Sequence, residues 1–200
     1  HTTVDAIHLQ QQLYAFSQQG AEYLCLEASS HGLDQGRLAG TAIQVALFSN
    51  LTRDHLDYHG TLENYAQAKS RLFAFPSLTH AILNKDDPAW QLMQQVVDTQ
   101  NQQRQLVAQS PVISWTYSLH DASADFYALH IRYSLHGADI QLASRLGDLR
   151  FHSPLLGHFN VSNVIAAVAG ALALGLTPAQ VMAGVPRLQG APGRMQVVAD

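Results

Sequence analysis

Lys69 is one of only two lysines in the 200-residue chain, and it falls where a lysine is out of place. The segment after Gly60 reads as a helix, with Thr61 as N-cap and Glu63 in the first turn. Its apolar stripe runs through Leu62, Tyr65, Ala66, Leu72 and Phe73, and Lys69 occupies the missing place in that stripe. An ammonium there either snorkels outward along its stem or has an anionic or metal-linked reason to be inside. A second group is Asn50-Leu-Thr-Arg-Asp-His-Leu-Asp57, in which His55 stands between Asp54 and Asp57. Such a histidine suits a metal ligand or a polarised base, and equally a hydrogen-bonded loop. His55 and His59 are four apart, but a zinc site would need a glutamate base and a third ligand that are not evident. The third group is Glu27-Ala-Ser-Ser-His-Gly32. A carboxylate ending a buried strand either binds a hard cation such as magnesium, with phosphate and water completing the shell, or accepts from neighbouring backbone.

Short apolar runs alternating with helical ones must position these groups. Residues 5–19 read as a helix closed by Gly20. Residues 22–27, 44–49 and 80–83 read as buried strands. That alternation predicts an α/β fold with a mostly parallel sheet and crossover helices. Ligands of such sheets bind just beyond the strands' C-terminal ends, where Glu27, Ser29, Asn50, Asp54 and His55 fall. Residues 112–152 read as a small antiparallel meander: Trp115–Tyr117, Phe126–Tyr133, Ile140–Leu142 and Leu149–Phe151. A buried Ala/Val helix follows over 160–174, capped by Gly175, and Thr177-Pro178 opens a short last helix. Pro186, Gly190, Pro192 and Gly193 read as a linker, so the expected division is one domain over 1–186 and a connection over 187–200.

Composition narrows the function classes. At 47% hydrophobic and 13% charged residues, the chain can build a core rather than remain disordered. A net charge of −4 with no basic run argues against a nucleic-acid partner. No apolar run is long enough to span a membrane, and no secretory signal opens the chain. The single cysteine, Cys25, permits no intrachain disulfide, suits a reducing cytosol and is expected in the core. The abrupt start at His1-Thr2-Thr3 reads as a cut within a longer protein.

The clusters, taken in order, resemble the central domain of the Mur ligases. The resemblance lies in Glu27-Ala-Ser-Ser-His-Gly-Leu33 with Gln35 and Arg37, then Asn50-Leu-Thr-Arg-Asp-His-Leu-Asp-Tyr-His-Gly60. It continues through Tyr65-Ala-Gln-Ala-Lys-Ser-Arg-Leu-Phe73, Asn84-Lys-Asp-Asp87, Gly157-His-Phe-Asn-Val-Ser-Asn163 and Gly193-Arg-Met195. It spans essentially the whole chain and is weakest over 100–150. Thr2, Thr3, Ser29, Gln35 and Arg37 favour the member that adds the third residue of the cell-wall precursor peptide.

The resemblance implies a cytoplasmic, monomeric ATP-dependent amide ligase acting on UDP-MurNAc-L-Ala-D-Glu and a diamino acid, meso-diaminopimelate being preferred. It implies that Lys69 carries a CO2-derived carbamate and, with His55, holds one Mg2+, while Glu27 holds another. Thr2, Thr3, Ser29, Gln35 and Arg37 would contact the UDP-linked substrate. Asn160 and Asn163 would read adenine, and Arg194 would lie on the phosphate side. Two departures stand out: His1 where asparagine is usual, and no Gly-x-x-x-x-Gly-Lys-Ser/Thr loop within the 200 residues. The fold expectation is therefore a P-loop-type sheet lacking that segment. The rivals are a folylpolyglutamate- or cyanophycin-type amide ligase, and a non-catalytic nucleotide-sugar-binding module.

Overall fold

Six strands form one sheet in the order β1-β2-β3-β4-β5-β6, and its first half is parallel. The computed structural model describes residues 3–190; Thr2, Arg194 and the end of the expected linker lie outside them. β1 (Val45–Phe48), β2 (His80–Asn84) and β3 (Ile113–Ser118) run parallel and are short and apolar. β4 (Phe126–Ser134), β5 (Gly137–Ser144) and β6 (Leu149–Ser153) form antiparallel neighbours. β3 meets β4 in parallel through only two register pairs, Tyr117↔Phe126 and Ser118↔Tyr127. The expected α/β class, with a mostly parallel sheet and an antiparallel extension, is what is observed. Trp115–Tyr117, however, belongs to the parallel half and not to the meander, because β3 takes its ladder from β2.

The helices are α1 (Ala6–Gln18), α2 (Ser30–Asp34), α3 (Leu56–His59), α4 (Leu62–Ser70), α5 (Trp90–Leu106), α6 (His158–Ala173) and α7 (Pro178–Gly184). Among the described residues none is long and apolar enough to cross a membrane. Asp5 caps α1 by accepting from the Ile7 and His8 N–H groups. The α1 stripe is largely open, with Ile7 72% and Tyr14 67% exposed and only Leu9 buried. α5 has no counterpart in the expected elements. Its glutamines interrupt the stripe, and Met93, Val97 and Arg104 are its buried residues. α6 is the most apolar helix, and one face buries Val161, Val164, Ile165, Val168 and Leu172 in the main core cluster. It stops where Gly175 takes φ +90°, so that the Leu176 N–H can donate to the Ala171 carbonyl. Thr177 and Gln180 close a capping box on α7 around Pro178.

Two expectations fail together. Residues 22–27 carry no strand ladder, and Cys25 is exposed. A strand is defined by its partner, and among the described residues this run has none, so Tyr23, Leu24 and Cys25 are exposed while Leu26 packs on the Leu9, Leu33 and Leu38 cluster.

Candidate functional site

Thr3 is buried and ties the start of the chain to the segment before α2. Its hydroxyl donates to the Glu27 carbonyl at 2.9 Å and accepts the Ser29 N–H at 3.0 Å. Ser29 then caps α2 through its hydroxyl, which accepts from the Gly32 N–H at 3.1 Å. Position 32 must be glycine, since a Cβ there would stand 2.9 Å from Thr3 Cγ2 and 3.0 Å from Ser29 Oγ. Arg37 Nη1 donates to the Thr3 carbonyl at 2.7 Å, and its Nε and Nη2 both donate to Gln35 Oε1. Gln35 Nε2 in turn donates to the Tyr58 hydroxyl at 3.2 Å, and Tyr58 donates to Asp34 at 2.9 Å. Arg71 closes the far end with a 2.8 Å ion pair to Asp34. Thr3, Ser29, Gln35 and Arg37 are thus one hydrogen-bonded chain. Tyr58, Asp34 and Arg71 belong to it; Tyr58 and Arg71 fall within the family-like runs without a role assigned there, and Asp34 falls outside them.

The Lys69 side of the site begins at the C-terminal turn of α4, where Thr61 caps the start. A short 3-10 turn, Arg71–Ala74, takes over after Ser70, so Lys69 closes the helix and does not sit in its middle. Its side chain is half-buried, with Nζ 5.2 Å from the centroid of the Tyr65 ring. Among the described residues no carboxylate lies within ion-pair distance of it. Burial pushes its pKa down, and the fields of Glu27, Asp87 and Asp54 partly oppose that shift. Both options open for this residue are therefore partly realised: the stem packs, while the amine faces three carboxylates that do not reach it. The chain's other lysine is structural. Lys85 pairs with Asp121 at 2.7 Å and bonds Ser123.

Glu27 is exposed, not a buried strand end, so its burial gives no reason for a cation. Its field on Lys69, the strongest of the three carboxylates, is what connects it to the site. Asp87 fixes the loop after β1, accepting the Leu51 N–H at 2.6 Å, and Asn84 Nδ2 donates to the Ser49 carbonyl. The signal for Asp87 was its place just past β2, at the ligand edge of a parallel sheet.

His55 precedes α3 with φ +56°, left-handed and rare outside glycine. Its side chain is 46% exposed. It packs at right angles to His31, with centroids 5.1 Å apart, and edge-on to Tyr65 at 5.9 Å. His59 is buried, shares a 2.9 Å hydrogen bond with Ser30 Oγ and stacks on Tyr65 at 5.3 Å. Burial, followed by the nearby His31, lowers its pKa. Tyr65, 5% exposed, is therefore the wall between His55, His59 and Lys69.

Among the described residues no three His, Cys, Asp or Glu side chains converge as a ready cation cage. The residue types match the expectation of two magnesium sites, an exposed carboxylate at Glu27 for one and the exposed imidazole of His55 beside Lys69 for the other, each needing phosphate and water oxygens to complete it. Lys69 is suited to supply a carboxylate beside His55 as a carbamate. Its lowered pKa raises the share of neutral amine, the form that adds CO2.

Asn160 and Asn163 lie near the start of α6, and among the described residues neither side chain hydrogen-bonds to this cluster. The Asn160 amide donates to the Leu156 carbonyl at 2.7 Å, and Asn163 is exposed. Ser162 reaches the hydroxyl of Tyr117, near the end of β3, and burial pushes that hydroxyl's pKa up. The start of α6 therefore sits at the same sheet edge as the loops after β1 and β2.

Residues 1–171 match the Mur ligase middle domain. The chain is 42% identical over 196 residues to a UDP-N-acetylmuramoyl-L-alanyl-D-glutamate--2,6-diaminopimelate ligase of Pseudomonas aeruginosa, covering 98% of this chain and 38% of that protein. Over 200 residues it is 41% identical to the ligase of the same name from Synechocystis sp., covering 99% of this chain and 37% of that one. A solved structure of a ligase of that name superposes with a TM-score of 0.89 at 50% identity, covering all of this chain and 39% of the other. The chain thus spans under two fifths of the length of the curated relatives it matches.

Proposed function

This chain belongs to the Mur ligase family, and from that membership we propose that it is the central ATP-handling part of a ligase that extends UDP-MurNAc-L-Ala-D-Glu by meso-diaminopimelate. The domain is assigned to residues 1–186, with 187–200 leading into a further domain. The observation that carries the reading is the juxtaposition of two networks. The Thr3–Ser29–Arg37–Gln35–Tyr58 chain lies directly beside the rings of His31, His55 and Tyr65 that lead to Lys69. One network suits an anionic, hydroxyl-rich nucleotide-sugar peptide, and the other a phosphoryl group.

In the reaction assigned here, the free side-chain carboxylate of the D-glutamyl residue takes the γ-phosphoryl group of ATP, giving an acyl phosphate and ADP. The amine of the incoming diamino acid attacks the acyl carbon, and phosphate leaves. Glu27, His55 and the Lys69 carbamate would hold magnesium, which when bound supplies charge neutralisation at the phosphoryl oxygens. Arg37 uses three of its five N–H groups on Thr3 and Gln35, leaving two for an anionic ligand. Ser29 presents its hydroxyl at the start of α2, held by Thr3. Asn160 and Asn163, with Thr2 and Arg194, are assigned to the substrate and nucleotide by family likeness.

The test is an assay of the full-length protein with ATP, magnesium, UDP-MurNAc-L-Ala-D-Glu and either meso-diaminopimelate or L-lysine. Stoichiometric ADP and UDP-linked tripeptide with meso-diaminopimelate are expected. Turnover with lysine alone would transfer the assignment to the lysine-adding type. Turnover of a folate polyglutamate acceptor instead would remove the cell-wall assignment altogether.

A further inference from the structure

We infer that His31 is a positioning residue of the site, holding the His55 imidazole in orientation by packing and coupling it to the Arg37–Gln35–Tyr58 chain. The inference deepens the ligase reading and rests on it for what the two networks bind.

Little besides packing holds the His55 ring. Its backbone is in the left-handed region, a strained conformation for a non-glycine residue. Its nearest carboxylate, Asp54 Oδ2, is 3.8 Å from Nε2, beyond hydrogen-bond length. The ring is therefore oriented by its neighbours, His31 at 5.1 Å and 89° and Tyr65 at 5.9 Å and 84°. Both are edge-to-face contacts of the kind that fix relative ring angle.

His31 is itself well placed to act as a fixed surface. It sits on α2, whose start is locked by the Ser29 cap and by the close approach of Gly32 to Thr3. Its ring lies against Tyr58 at 4.1 Å and His59 at 5.4 Å, and His59 is anchored by Ser30 and Tyr65. Tyr58 is the member of the hydrogen-bonded chain that faces these rings, through Gln35 and Asp34. His31 is thus the ring that touches both His55 and Tyr58. Among the described residues its nitrogens make no hydrogen bond, so the work is done by the ring's shape. A phenyl ring should replace it, and a methyl group should not.

The experiment uses the full-length protein and Mn2+ as the metal probe, with binding read by electron paramagnetic resonance. Wild type, His31→Phe and His31→Ala are compared, and near-ultraviolet circular dichroism reports whether each is folded. His31→Ala should weaken Mn2+ binding about tenfold, while His31→Phe stays close to wild type. The His55 ring-proton resonances should move in His31→Ala for the same reason. Wild-type Mn2+ affinity and unmoved His55 resonances in both variants would overturn the inference. So would equal loss in both, since that assigns the role to the His31 nitrogens. If the wild type makes no UDP-linked tripeptide but the Phe-against-Ala pattern holds, the ligase reading fails and the positioning role stands.

Discussion

The Lys69 ammonium stands 5.2 Å over the ring of Tyr65, one helical turn earlier on α4. Burial lowers the lysine's pKa from its ordinary 10.5, despite Glu27, Asp87 and Asp54. The unfolded chain therefore keeps a proton that the folded one has released, between the lowered value and 10.5. Stability should rise with pH across that window, and below it the cost of burying the charge is present in full. Lys69→Met should thus raise the thermal midpoint at neutral pH, with the advantage shrinking as pH approaches 10.5. The same substitution should abolish turnover in the full-length enzyme, and added formate or acetate should restore part of it in Lys69→Ala. A fully active Lys69→Ala enzyme would return this residue to a merely packed stem.

Arg37→Ala removes the clasp on Gln35 and Thr3 together with two free N–H groups. A charge-assisted contact of this kind is worth about 1.5–3 kcal/mol, so affinity for UDP-MurNAc-L-Ala-D-Glu should fall roughly 10- to 150-fold. ATP affinity should be unchanged. Calorimetry of the full-length variant with each ligand separates the two, and equal substrate affinity in variant and parent would mark Arg37 as a surface residue.

Arg104 is 6% exposed and donates to the carbonyls of Ser110, Pro76 and Leu78. It clamps the end of α5 to the loops that lead into β2 and β3. Arg104→Met leaves the buried Leu78 carbonyl without this donor, along with the more exposed carbonyls of Pro76 and Ser110, and should cost about 1–3 kcal/mol in denaturant unfolding. Arg104→Lys should recover less than half of that, because one ammonium cannot reproduce the planar fork.

On the antiparallel half, His152 Nδ1 lies 2.9 Å from Asp139 Oδ1, and this contact raises the histidine's pKa. Asp139 is lowered, first by its hydrogen bond from Arg132 and then by His152. The His152 contribution to stability is fully present below pH 6.5 and is lost as pH rises through the raised value. Proton NMR should show His152 titrating above the ordinary histidine range, and Asp139→Asn should bring it back down. An unchanged midpoint in Asp139→Asn would remove the pair as the cause.

Local signals were the readable ones. The caps at Thr61 and Thr177, the stop at Gly175 and the Lys69 anomaly all depend on neighbours within a turn or two, and each has its counterpart in the structure. Partner-dependent features were not readable. Residues 22–27 have the apolar run of a buried strand but no ladder, and Cys25 is carried outward with them. β3 looks like a meander strand until its register with β2 is known. α5 was hidden because Met93 and Val97 are separated by glutamines and its last buried residue is an arginine. Ser29, Gln35 and Arg37 were named through the family resemblance, and in the structure they share one hydrogen-bonded chain. Tyr58 and His31 take their significance from contacts across loops, which spacing does not encode.

The two halves of the sheet share just two register pairs, Tyr117↔Phe126 and Ser118↔Tyr127. α6 bridges them, its Val161, Ile165 and Val168 lying in one apolar cluster with Ile82 and Tyr117 on one side and Phe126, Leu142 and Phe151 on the other. The backbone seam alone is too short to make the halves open and close together. Cooperativity between them thus rests on this shared core, to which α6 gives the largest share of residues, and on the Trp115–Phe126 ring contact across the seam; Asn160 and Asn163 lie in the first two turns of α6. A ligand that steadies the first turn of α6 would slow amide exchange in β1–β3 and in β4–β6 alike.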